Sequence, residues 1–222
     1  MTDRIRLVNF REGDFAAVQD AIGGASIQNV RTYGQSQEIR LEGRPWLRSR
    51  SGNDVACLLL QRLLEGLYNR GWMLQAPIKV TKWRDKDTLL FRRQSPPPPP
   101  WDWLVVSFDR DNKLKVVGFP PPELAAALVE CFGIRVRRHE ITASRLKIKF
   151  RGYPWEPHGT NTVDTRVIVL KLLETLEAFG FTLYGSVRIT DSGGNYNIDT
   201  EADVLVVHRC RDGTSGASNG QT

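Results

Sequence analysis

One offset, 109 residues, runs through the whole chain. Gly43-Arg44-Pro45-Trp46 returns as Gly152-Tyr153-Pro154-Trp155, and Gly71-Trp72 returns as Gly180-Phe181. Between these marks each copy carries a polar turn and then a long apolar-striped segment. Self-similarity at a fixed spacing is the signature of a repeated structural unit. The chain is therefore an internal duplication, and a reading of one copy can be checked on the other.

Residues 5–10 align with residues 114–119, and both read as short strands. Asp14 and Glu123 then open matched short helices, with the acid placed where it suits the helix dipole. Pro120-Pro121-Pro122 leads into the second of these, where a missing N–H costs nothing. Gly24 and Gly133 fall just beyond the helices, as C-terminal glycines do. A strand at residues 38–41, matched by 147–150, stops at Pro45 and Pro154, because proline holds the preceding residue extended.

The long helix follows. Ser51 or Asn53 and Thr160 or Thr162 suit its N-cap. Leu59, Leu60, Leu63, Leu64 and Leu67 match Ile168, Val169, Leu172, Leu173 and Leu176, a helical stripe facing a core. Gly71 and Gly180 end it. Two strands close each copy: residues 72–81 and 88–92 in the first, 181–190 and 204–208 in the second. The loop joining them is seven residues longer in the second copy and, with Asp191-Ser192-Gly193-Gly194-Asn195, reads as flexible. Residues 101–108 add a strand before the second copy.

The expectation is an α+β fold in tandem, each unit a mainly antiparallel sheet with a short and a long helix on one face. The units are residues 1–94 and 101–211. Residues 95–100 form a proline-rich linker, a stiff polyproline spacer. Residues 212–222 form a Gly/Ser/Asn-rich disordered tail.

Charge separates the two copies. The net charge is +6. Residues 1–94 hold 16 Lys and Arg against 10 Asp and Glu, whereas residues 95–222 hold 15 of each. An anionic partner should therefore meet the first copy. The first residues lack the apolar core of a secretory signal. The longest apolar stretch, residues 163–187, is interrupted by Asp164, Arg166, Lys171, Glu174 and Glu177, too charged for a membrane span. Cys57, Cys131 and Cys210 are odd in number and widely spaced, which argues against a disulfide framework. The expected address is intracellular and cytoplasmic, with the nucleus as the alternative.

Candidate binding residues gather in two places. Trp46 and Trp155 follow proline at a loop-to-helix junction, with Arg44 and Arg48 beside the first. Stacking or anchoring is the functional reading, and packing of the turn against the core is the stronger one, since repeated aromatics usually carry core area. Lys82, Trp83 and Arg84 sit near the tip of a basic hairpin, a pattern that suits phosphates and a stacked base. Asp85 and Asp87 dilute that patch, so a solvated hairpin whose charges resist edge pairing is preferred. Arg135-Val136-Arg137-Arg138-His139 reads better as a charged strand edge than as a polyanion site.

Other chemistry is weaker. Asp191-Ser192-Gly193-Gly194 resembles the serine-protease D-S-G-G segment, but it lies in a hairpin insertion without the scaffold that a catalytic triad needs. His139, His158 and His208 form no metal-ligand spacing with the cysteines. Glu65 and its counterpart Glu174 lie off the core stripe and read as solvated. The proline run could fill an aromatic groove, but reads better as a spacer. No cofactor or metal motif is found. The resulting expectation is a non-catalytic binding or adaptor protein whose partner is another protein, docking on the sheets or the Trp-bearing turns. Nucleic acid or another polyanion on the first copy is the alternative. A further alternative is an enzyme sited in the inter-repeat cleft, built from residues such as His158 and Asp164. Oligomeric state is left open.

Overall fold

Strands and helices follow one another in the same order in both repeats. The computed structural model describes residues 3–46, 53–78, 88–109, 112–189 and 202–211. In the first repeat these are β1 (Arg4–Val8), α1 (Glu12–Ile22), β2 (Ile27–Tyr33), β3 (Ser36–Leu41), α2 (Asp54–Asn69), β4 (Trp72–Ile78) and β5 (Thr88–Arg93). Next comes β6 (Trp101–Asp109). The second repeat continues with β7 (Lys113–Val117), α3 (Pro122–Phe132), β8 (Val136–Thr142), β9 (Arg145–Phe150), α4 (Asn161–Ala178), β10 (Thr182–Ile189) and β11 (Ala202–Cys210). The fold is α+β, and the paired strands are antiparallel.

The sequence gives no sign of β2, and of its counterpart β8 only the charged strand edge at Arg135–His139. Each pairs with the strand after it as a hairpin. Each also carries a register shift, between Ile27 and Asn29 and between Val136 and Arg138, which breaks the two-residue period. Both lie at sheet edges with most of their side chains exposed, so neither shows an apolar alternation. The N-caps of the long helices fall at expected residues but do not cap in the expected way. Asn53 and Thr160 stand at the N-caps of α2 and α4, and neither caps through its side chain. Asn53 Oδ1 instead accepts from Ser107 Oγ at 3.3 Å.

The sheets of the two repeats differ because of β6. In the second repeat β6 lies between β11 and β7 and joins one six-stranded sheet, in the order β10-β11-β6-β7-β9-β8. Among the described residues, the first repeat has no such strand. Its strands form a three-stranded sheet, β1-β3-β2, and a separate hairpin, β4-β5. That hairpin leans on the second repeat, where the Leu74 N–H donates to Tyr184 Oη at 2.8 Å.

Packing arranges the layers in a stack. Leu104, Val106, Leu114, Val116, Leu146 and Ile148 face α3 and α4, and form one core with Leu124, Leu128, Ile168, Leu172 and Leu176. Trp103, Val105 and Val117, the next residues along β6 and β7, point the other way and, with Val204 and Val206 of β11, meet Cys57, Leu60, Leu64 and Tyr68 of α2. Alternate residues of a strand face opposite sides, so this six-stranded sheet is covered on both. Leu59, Leu63 and Leu67, one step around α2, join Val18, Ile22, Leu7, Ile39 and Leu41 in the first repeat's core. The leucine stripe expected to face one core thus serves two. The order of layers is α3 and α4, the six-stranded sheet, α2 with α1, and the three-stranded sheet.

Candidate docking faces

Repeat docks on repeat through a helix laid across the outer face of a sheet, meaning the face opposite that sheet's own helices. The contact is apolar along most of α2 and charged at its N-terminus. Lys115 projects from β7 into this junction and is 1% exposed. Its Nζ lies 2.6 Å from Asp54 Oδ1 and 3.1 Å from Asp109 Oδ2. Arg145 Nη1 donates to Asp54 Oδ2 at 2.6 Å, and Arg145 Nη2 donates to Glu140 at 2.9 Å. A buried ammonium is tolerated only with such partners. Hydrogen bonds to Glu140 and Asp54 push the Arg145 guanidinium above its ordinary pKa. Further along, Gln61 Nε2 donates to the Trp103 carbonyl at 3.0 Å.

The C-terminal half of the junction is aromatic. Tyr68, Trp101, Trp103 and Tyr184 surround His208, with Trp101 centred 4.2 Å from its ring. Burial pushes His208 down to about 4, so its imidazole is neutral at physiological pH. Burial likewise pushes Cys57 up to about 12, with Asp54 adding to the effect.

Beside the junction is a cleft of ≈380 Å³, lined by Gln61, Arg62, Glu65, Asp102, Phe119 and Arg211 among others. Its charges largely pair with one another. Arg211 and Arg209 meet Asp102 at 2.9 and 3.2 Å, and Arg211 approaches Glu65 at 3.7 Å. Glu65, expected to be solvated, is a cleft residue whose pKa burial raises. His158 and Asp164, the pair considered for an inter-repeat enzyme, are both exposed and do not line the cleft. Asp164 pairs with Arg135 at 3.3 Å.

Sheet β1-β3-β2 presents the equivalent outer face at the end of the stack, uncovered by any helix among the described residues. Arg6, Glu38 and Arg31 form one row across it, and Val8, Ser36 and Tyr33 the next. Glu38 is 1% exposed and takes Arg4, Arg6 and Arg31 at 2.8–2.9 Å. Burial alone would raise its pKa, but the hydrogen bonds from Arg6 and Arg31 and the charge of Arg4 hold it below the usual carboxylate value. Arg6 also lies over the Tyr33 ring, 4.2 Å from its centroid. Arg40 pairs with Asp3 at 3.1 Å. Val8 and Tyr33 are exposed, at 62% and 49%. The face is thus an arginine grid with an aromatic and an aliphatic side chain at one margin.

Of the residues singled out in the sequence, those the structure describes fall outside both faces. Arg44 is exposed in the turn after β3. Trp46 is half-buried against the first repeat's core. Trp155 is half-buried between Phe108 and Phe150 and donates its Nε1–H to the Lys113 carbonyl at 2.8 Å. Arg48, Lys82, Trp83 and Arg84 lie outside the described residues, as do the loop at residues 191–195 and the tail 212–222 with their expected flexibility. The residues that form the faces left signals that were not used. Arg4 with Arg6, and Glu38 with Arg40, alternate along their strands, while Arg31 sat on the unread β2.

A duplicated α+β module that docks on itself is the class that this architecture defines. One domain-family model matches two stretches of the chain, residues 1–92 and 102–208. The protein belongs to that family. No curated protein matches it. Among solved structures, the crystal structure of a conserved kinetoplastid-specific protein from Trypanosoma cruzi is similar at 17% identity and a TM-score of 0.33. That alignment covers 49% of this chain and 94% of the other. Among the described residues, no helix is long and apolar enough to cross a membrane.

Proposed function

We propose that the protein is a non-catalytic protein-binding module that takes its partner on the outer face of the β1-β3-β2 sheet. One observation carries this reading: the same face of the second repeat already holds a helix, α2, by apolar packing and by Asp54 on Lys115 and Arg145. In the first repeat no helix among the described residues covers that face. A helix with an apolar stripe and acidic residues at its margin fits it, since Val8 and Tyr33 offer apolar area and Arg4, Arg6, Arg31 and Arg40 offer charge. Arginine beside an exposed aromatic is also typical of residues that anchor interfaces.

A photo-crosslinking residue at position 33, compared with one at Glu130 on exposed helix surface, tests the reading. The expected product at 33 is a discrete protein adduct that survives nuclease and is lost in Val8→Glu. The same arginines and Tyr33 support the polyanion alternative. A nuclease-sensitive adduct, with binding that falls steeply as salt rises, would establish that alternative in its place.

A further inference from the structure

α2 is buried on two sides, whereas α4 is buried on one. Ile168, Leu172 and Leu176 of α4 face the core of the second repeat, as Leu59, Leu63 and Leu67 of α2 face the first. The 109-residue offset places Val163, Val167 and Leu170 where α2 has Asp54, Leu58 and Gln61. In α2 those positions meet Lys115, the apolar junction and the Trp103 carbonyl. In α4 they are apolar and exposed, at 60%, 36% and 57%. Val169 and Leu173, the counterparts of the junction residues Leu60 and Leu64, are only half-buried. The edge of the helix used for docking in one repeat is therefore kept apolar and left open in the other.

We propose that this edge of α4 docks on the outer face of the β1-β3-β2 sheet of a second copy of the chain. The proposal rests on the reading of that sheet face as a protein-docking surface. The stack of layers ends in α4 on one side and in that sheet on the other, and these are the counterparts of α2 and of the six-stranded sheet's outer face. Their chemistry is complementary. Val163, Val167 and Leu170 are flanked by Glu174 and Glu177, while Val8 and Tyr33 are flanked by Arg4, Arg6, Arg31 and Arg40. Arg166 and Lys171 border the same edge of α4, and Arg166 donates to its own helix at the Thr162 carbonyl. The two surfaces differ, so the contact is head-to-tail, and each added copy exposes a fresh end.

Sedimentation of the full chain from about 1 to 100 μM, the range in which micromolar contacts populate, tests this. Wild type should show a mass that climbs with concentration without a fixed end point. Leu170→Glu blocks one end and Val8→Glu the other; both replace exposed side chains, and circular dichroism confirms that each variant is folded. Each alone should remain monomeric. An equimolar mixture should give 1:1 dimers and nothing larger, because one good end of each kind remains. A wild type that is monomeric at the top concentration, a blocked variant that still associates, or a mixture that stays monomeric overturns the proposal. A monomeric chain whose position-33 crosslinker still captures a discrete protein sinks self-association alone and leaves the docking face standing.

Discussion

Lys115 Nζ donates to Asp54 Oδ1 at 2.6 Å across the junction of the two repeats. Lys115 is the more deeply buried partner, and Asp54 also holds Arg145. Removing the aspartate charge leaves Lys115 to Asp109 and Arg145 to Glu140. Breaking one side of a buried pair costs more than replacing both sides with apolar groups. Asp54→Asn should therefore lower stability by about 3 kcal/mol, read as a shift of the urea midpoint. Asp54→Leu combined with Lys115→Met should recover part of that loss. If the double variant is as unstable as the sum of the two single variants, the pair is not coupled as described.

Glu38 sets the arginine grid of the first sheet in the same way. Its side chain is 1% exposed and meets three guanidinium groups. Glu38→Gln keeps the shape and removes the charge that balances them, and should cost about 2 kcal/mol, since the arginines remain partly solvated. The sign with pH follows from the lowered carboxyl pKa. The contribution of Glu38 is present above the ordinary carboxylate value and fades as pH falls through its folded value. Wild type and Glu38→Gln should therefore converge in acid. A gap between them that stays constant down to pH 3 would count against the assignment.

Much of this was legible before the structure. The duplication, the glycine stops and both long helices follow from residues whose constraints are local: proline, glycine and a helical stripe. The split use of that stripe was not legible, because Leu60 and Leu64 look like any widened apolar face until a second sheet covers them. The six-stranded sheet left a trace in Leu104-Val105-Val106, a continuous apolar run of the kind that marks a strand buried on both sides. β2 left none and β8 only its charged edge at Arg135–His139, since edge strands with exposed side chains carry no burial pattern. The docking faces were hidden for a related reason. They draw Arg4, Arg31 and Glu38, or Asp54 and Lys115, from segments far apart in sequence, whereas the prominent tryptophans at 46 and 155 are half-buried against the cores of their own repeats.

His208 gives the junction its own acid sensitivity. Its ring is 8% exposed, and burial pushes its pKa down to about 4, against about 6.5 in an unfolded chain. Both states are neutral above that upper value. Between the two values the unfolded chain takes up a proton that the folded chain refuses, so stability falls as pH drops, by about 3 kcal/mol in all. His208→Phe should lie within about 1 kcal/mol of wild type at neutral pH, since it keeps a ring among Tyr68, Trp101 and Trp103. It should overtake wild type by about pH 5.5 and exceed it clearly at about pH 4.5. Urea midpoints at several pH values decide this, and parallel profiles for the two proteins would falsify it.

Cys57 reports on the same junction from inside. It is 0% exposed between α2 and the six-stranded sheet, and its thiol is pushed up to about 12 by burial and by Asp54. A neutral, enclosed thiol meets an alkylating reagent only when the junction opens. In the native protein Cys57 should therefore react far more slowly than half-buried Cys131 and Cys210. Gly118 offers a way to force the opening. Its φ is +112°, and a Cβ there would press on Gln61 Oε1 and lie 2.9 Å from the Trp103 carbonyl oxygen. Gly118→Ala should strain the junction by about 1–3 kcal/mol, and labelling at Cys57 should accelerate by about fivefold to a hundredfold, since 1.4 kcal/mol is a factor of ten. Cys131 lies on α3, on the far side of the six-stranded sheet, so its rate should not change. Peptide-resolved mass spectrometry after timed alkylation separates the sites. Equal acceleration at all three cysteines would mean global unfolding, and no change at Cys57 would mean that α2 does not rest on Gly118 as the geometry requires.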